Sequence, residues 1–126
     1  MKRLVLILLA GAGLNGCSGP PSASESASLA VTLSSPFADD GAVLFTVTGG
    51  PVDSVESSGY AVYSSRPEPN TLEVIVTGQL GSGTIARLHI ANERLAPAYS
   101  ARVVQAAARV SYTQRDPAAY GLTLVP

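Results

Sequence analysis

TLEVIVTGQLGSGTIARLHI, residues 71–90, decides the fold of this chain. Its first half sets Leu72, Val74 and Val76 on one side and Glu73 and Thr77 on the other. Its second half repeats the device, with Ala86, Leu88 and Ile90 against Arg87 and His89. Alternation with period two, in short runs rich in β-branched residues, marks strands buried on one face. The glycines of GQLGSG lie between the runs, where the chain must reverse.

The same pattern extends in both directions. LAVTL (29–33) and AVLFTVT (42–48) precede it, the latter with Val43, Phe45 and Val47 on one face. YAVYS (60–64) is a shorter run, and YGLTLV (120–125) closes the chain with Tyr120, Leu122 and Leu124 aligned. SSPFADDG, TGGP, SSG, RPEPN and ANERLAP fall between the runs as turn chemistry. Apolar runs at intervals of roughly ten residues predict an all-β sandwich. PAYSARVVQAAARVSY (97–112) reads two ways: its three consecutive alanines suit a helix, whereas Tyr99, Val103, Val104, Val110 and Tyr112 suit a strand. Strand is preferred, because a helix would interrupt an otherwise regular meander.

The chain has 126 residues, 46% apolar and 13% charged, with a net charge of −1. Such a balance suits a globular domain and argues against nucleic-acid binding. Lys2 and Arg3 open the chain, and every later base is arginine.

MKRLVLILLAGAGLNGC (1–17) has the form of an export signal: a basic start, an apolar run from Leu4 to Ala10, then small residues. The run is shorter than the roughly 20 apolar residues that a spanning helix needs. LNGC, Leu14-Asn15-Gly16-Cys17, resembles the bacterial lipobox, with Asn15 where small or apolar residues are commonest. The resemblance implies a diacylglycerol on the Cys17 thiol, cleavage before Cys17, and a further acyl group such as palmitate on the new amine. Stable anchoring needs more than one chain, and the only cysteine of the sequence has no internal disulfide partner. Ser18 stands where an aspartate would resemble the inner-membrane retention signal, so the expected address in a two-membrane host is the outer membrane, facing the periplasm. SGPPSASESAS (18–28) reads as a flexible tether. The expected organisation is therefore a lipoprotein signal peptide (1–16), a lipidated Cys17 with its tether (17–28), and a β-sandwich (29–126). GAGLNG (11–16) matches G-x-G-x-x-G but lacks the following helix that dinucleotide binding requires.

DDGAVLFTVTGGPVDSV, TLEVIVTGQLGSGTIARLHI and YGLTLV together resemble small exported bacterial domains of the cohesin and carbohydrate-binding-module type. That resemblance implies an immunoglobulin-like or cohesin-like β-sandwich and carries over no functional residue. The cysteine pair and strand-C tryptophan of antibody domains are missing.

Candidate sites are few. Asp39, Asp40 and Asp53, with Glu56, are the densest acids and the candidates for Ca²⁺, against an ordinary reading of Asp-Asp-Gly as a turn. His89 is the only histidine; no G-x-S-x-G accompanies it, and one histidine builds none of the usual zinc sites. No enzyme is expected, and no cofactor beyond the covalent lipid on Cys17. Tyr60, Tyr63 and Tyr99 are candidates for stacking on sugar rings, although Tyr60 and Tyr63 point to opposite faces of a strand. Arg87, Arg102, Arg109 and Arg115 read as isolated solvated charges. The expected function is a non-catalytic protein-binding or structural module at the cell envelope, acting through an edge strand or the loop-rich end. The alternative is a module that recognises envelope or extracellular glycan.

Overall fold

The computed structural model describes residues 25–126; Cys17, the signal segment and most of the tether lie outside the described residues. The described chain forms β1 (Ala27–Ser34), β2 (Asp40–Thr48), β3 (Ser54–Ser57), β4 (Ala61–Glu68), β5 (Thr71–Leu80), β6 (Gly83–Ile90), β7 (Ser100–Ala108), β8 (Gln114–Arg115) and β9 (Gly121–Val125). One sheet has the order β3-β6-β1-β9 and the other β4-β5-β2-β7-β8, and every pairing is antiparallel. No helix of the described residues is long and apolar enough to cross a membrane.

The chain is not a meander. Most consecutive strands alternate between the sheets, so β5 and β6, the two halves of the deciding stretch, belong to different sheets. The pairing is nested like one long hairpin rolled up. In sheet order β4–β5 adjoin, as do β3–β6, β2–β7 and β1–β9. A strand that is apolar on one face buries that face only against a second sheet. Crossing between the sheets satisfies this at almost every turn.

The core follows from the two central strands. β2 sends Val43, Phe45 and Val47 inward, and β1 sends Leu29, Val31 and Leu33 to meet them. Leu72, Val74 and Val76 of β5 and Ala86, Leu88 and Ile90 of β6 complete the layer, all fully or almost fully buried. Ile85 is buried beside Ala86 although the two are consecutive. β6 carries one extra residue there, since Val31 pairs with Ala86 and Thr32 with Thr84. This bulge turns Ile85 inward out of phase.

The ambiguous stretch 97–112 takes in the end of one turn, a strand and the start of the next turn. Residues Glu93–Ala98 form a 3-10 turn, capped when the Asn92 side chain accepts from the Arg94 amide. Ser100–Ala108 form strand β7 along β2. Alanines at 106 and 108 face the core and Ala107 faces out, so the ladder to β2 overrides their helix propensity. Two short strands, β3 and β8, are additions to the sequence reading.

Near its start β2 breaks register on both sides. Asp40 pairs with Ala108 and Ala42 with Ala107, leaving Gly41 as an extra residue against β7. Against β5, Asp40 pairs with Leu80 and Ala42 with Thr77, so β5 carries the extra residue there, at Gly78 and Gln79. Gly78 has φ +144°, a conformation open mainly to glycine. A Cβ built on Gly41 would lie 2.4 Å from the Arg109 Cα. Gly41→Ala is therefore expected to push the β7–β8 turn away and to cost about 1–3 kcal/mol. Urea unfolding of the variant measures it, and an unchanged midpoint would refute the close approach.

Candidate functional site

At the end of the sandwich where β2 begins, Asp40 is fully buried. Burying a carboxylate is costly unless donors surround it. Arg115 Nη1 donates to its Oδ1 at 3.0 Å, the Tyr120 hydroxyl donates to the same oxygen, and the Ser35 hydroxyl donates to Oδ2. Arg115 Nη2 also donates to Asp39 Oδ1 at 2.7 Å, and its guanidinium lies 4.0 Å over the Phe37 ring. Phe37 in turn meets the Tyr120 ring, with centroids 6.0 Å apart. Arg115 is thus no isolated solvated charge: β8 folds back along β7 and delivers it to both aspartates.

The titration behaviour follows from this geometry. Burial, then the hydrogen bond to Asp40, pushes the Tyr120 phenol up to about 12. The hydrogen bond from Arg115 holds the exposed Asp39 carboxyl below its ordinary range, and the same contact raises Arg115.

Of the calcium candidates, Asp39 and Asp40 come together with Arg115 between them. Asp53 follows the far end of β2, where its amide donates to the His89 carbonyl. Among the described residues no three His, Cys, Asp or Glu side chains gather in a metal-binding group. His89 Nε2 lies 3.0 Å from Glu56 Oε1 across the β3–β6 pair. Tyr60, Tyr63 and Tyr99 are separate: Tyr60 packs on the core, and Tyr63 stands 64% exposed on the outer face of β4. Tyr99 is buried, and its hydroxyl donates to the Pro51 carbonyl. Burial and the nearby Asp53 charge raise its phenol.

The surface that does assemble is the outer face of the five-stranded sheet. Register puts Tyr63, Ile75, Leu44 and Gln105 in one row across β4, β5, β2 and β7. The next row runs Ala61, Thr77, Ala42, Ala107 and Gln114. Ile75 is 41% exposed on this face. Three shallow depressions of about 200, 360 and 230 Å³ cover it and share lining residues: Ala42 and Ala107 join the first two, Leu44 and Ile75 the first and third. All three glutamines of the chain, Gln79, Gln105 and Gln114, line them.

Sequence reasoning missed this face, although a signal for it exists. Val43-Leu44-Phe45 and Val74-Ile75-Val76 are unbroken apolar triplets inside otherwise alternating strands. A strand apolar on both faces has a use for both. No protein-family model, no curated protein and no solved structure matches this chain.

Two outcomes are expected of the buried carboxylate. Asp40→Ala strands Arg115 and Tyr120 and should cost about 3–5 kcal/mol, read from urea unfolding. The folded state keeps the Tyr120 proton up to about 12, whereas an unfolded tyrosine releases it near 10. This contribution to stability is whole below about pH 10 and is lost as pH rises through about 12. The melting temperature of the wild type should fall more steeply over that window than that of Tyr120→Phe. Equal slopes would count against the buried hydrogen bond.

Proposed function

We propose that this protein is a lipid-anchored envelope protein whose β-sandwich is a non-catalytic binding module for another protein. The observation that carries the binding assignment is the Tyr63–Ile75–Leu44–Gln105 row. Outer faces of antiparallel sheets ordinarily alternate to polar residues. Apolar surface in one patch, rimmed here by Glu73 and Arg102, is what protein interfaces have at their centre. The anchor rests on Leu14-Asn15-Gly16-Cys17 and the apolar run before it, with acyl chains on Cys17 holding the domain at the membrane, by the lipobox resemblance at the periplasmic side of the outer membrane.

A second reading has its own support: exposed Tyr63 and three glutamine amides on one face are groups that bind glycans, by stacking and by paired hydrogen bonds. The aliphatic Leu44 and Ile75 at its middle favour protein, since they offer nothing to sugar hydroxyls.

The test is photo-cross-linking in intact cells, with the reactive residue placed at Ile75 and, as a control on the opposite sheet, at Arg87. A discrete protein adduct at position 75 only, abolished by Leu44→Glu, is expected. Adducts to glycan alone, or equal adducts at both positions, would overturn the protein-binding reading. Cys17→Ser should move the protein from the membrane pellet to the soluble fraction; retention in the pellet would count against the lipid anchor.

A further inference from the structure

The largest of the three depressions on the outer face, about 360 Å³, lies over the two register breaks at the start of β2. Gly41 and Gly78 line it with bare backbone, and Ala42 and Ala107 add only methyl groups. Bulges recur where a fold shapes a binding site. Here two adjoin across one strand.

The wall is Tyr112, in the turn between β7 and β8. It is 78% exposed and has φ +57°, the only described residue other than glycine with positive φ. A tyrosine held left-handed is strained, and such strain persists where the surroundings enforce it. Val110, on the same turn, is 77% exposed. The turn is held from both sides: the Ala108 amide donates to the Thr113 carbonyl at 2.9 Å, and the Arg109 amide to the Asp39 carbonyl at 2.7 Å. Arg109 also lines the depression; among the described residues its guanidinium makes no ion pair, although its charge reaches the Asp39 carboxyl that Arg115 bonds directly.

We propose that this depression receives an aromatic side chain flanked by acidic residues, presented by an extended segment of the partner protein. The inference rests on the protein-binding reading of the face and names what one end of that face recognises. The ring would fill the alanine- and glycine-lined hollow against Tyr112, in an offset or edge-on arrangement. Arg109 would take the neighbouring carboxylate, the complement to its unpaired charge. The rest of the segment would run on over Leu44 and Ile75, which suit apolar side chains.

The test is calorimetric titration of the full-length protein in detergent with a short capped peptide, phenylalanine flanked by glutamates. Saturable binding is expected, weakened roughly tenfold or more when alanine replaces the phenylalanine. Arg109→Gln should weaken it about fivefold, as loss of a charge-assisted contact does. Tyr112→Gly separates binding from folding: it removes the wall and also the left-handed strain, so binding should vanish while the melting temperature holds or rises. Undiminished binding by Tyr112→Gly, or indifference to the phenylalanine, overturns the proposal. So does binding of an oligogalacturonide with none of the peptide, which would assign the hollow to acidic sugars. If the cross-link at Ile75 persists in cells while the peptide fails to bind, this inference falls and the broader reading of the face stands.

Discussion

One buried carboxylate organises an end of this molecule. Asp40 sits in the core layer with no exposed surface, and its charge is tolerable only because three donors converge on it. Those donors come from far apart in the chain: Ser35 from the β1–β2 connection, Arg115 from β8 and Tyr120 from the approach to β9. Satisfying Asp40 therefore fixes where the last strands return. Once Arg115 is held, β8 must lie along β7, and the turn between them is clamped at both ends. The hollow beside Tyr112 is a product of that clamp as much as of the glycines beneath it.

Order at this end and openness on the outer face are connected. Gly41 lets the Arg109 backbone approach closely, and both residues line the hollow. Gly78 relieves the β5 ladder in the same place. A sheet with unbroken register would present a level row of side chains here. Two breaks next to each other replace that row with a depression bordered by an aromatic turn.

The strands that carry the core were legible because they obey one rule. β1, β2, β5 and β6 each alternate, and the structure buries the side that the alternation selects; β9 alternates too and half-buries Leu122 and Leu124. β3 escaped because Ser54-Val55-Glu56-Ser57 has a single apolar residue, and β8 because two residues have no period. The strand order was illegible for a different reason: alternation says which face is buried and is silent about which sheet buries it. Asp40 looked like turn chemistry because Asp-Asp-Gly is common in turns, and its donors lie 5, 75 and 80 residues away. Tyr60, Tyr63 and Tyr99 stand out by residue type, yet only Tyr63 belongs to the apolar row, and Tyr112 is distinguished by its backbone and exposure.

The chain enters the sandwich at Ala27, beside Ile90, whereas the Tyr112 turn lies at the opposite end, beyond Ala108. β1 is an inner strand of its sheet, bonded to β6 on one side and β9 on the other. A pull between the N-terminal entry and a partner seated at that turn runs along the strands. Hydrogen bonds perpendicular to such a force resist together in shear, whereas a pull across a strand would open them one after another like a zip. A force along the line from the entry point to the far-end turn would therefore load both pairings of β1 in shear.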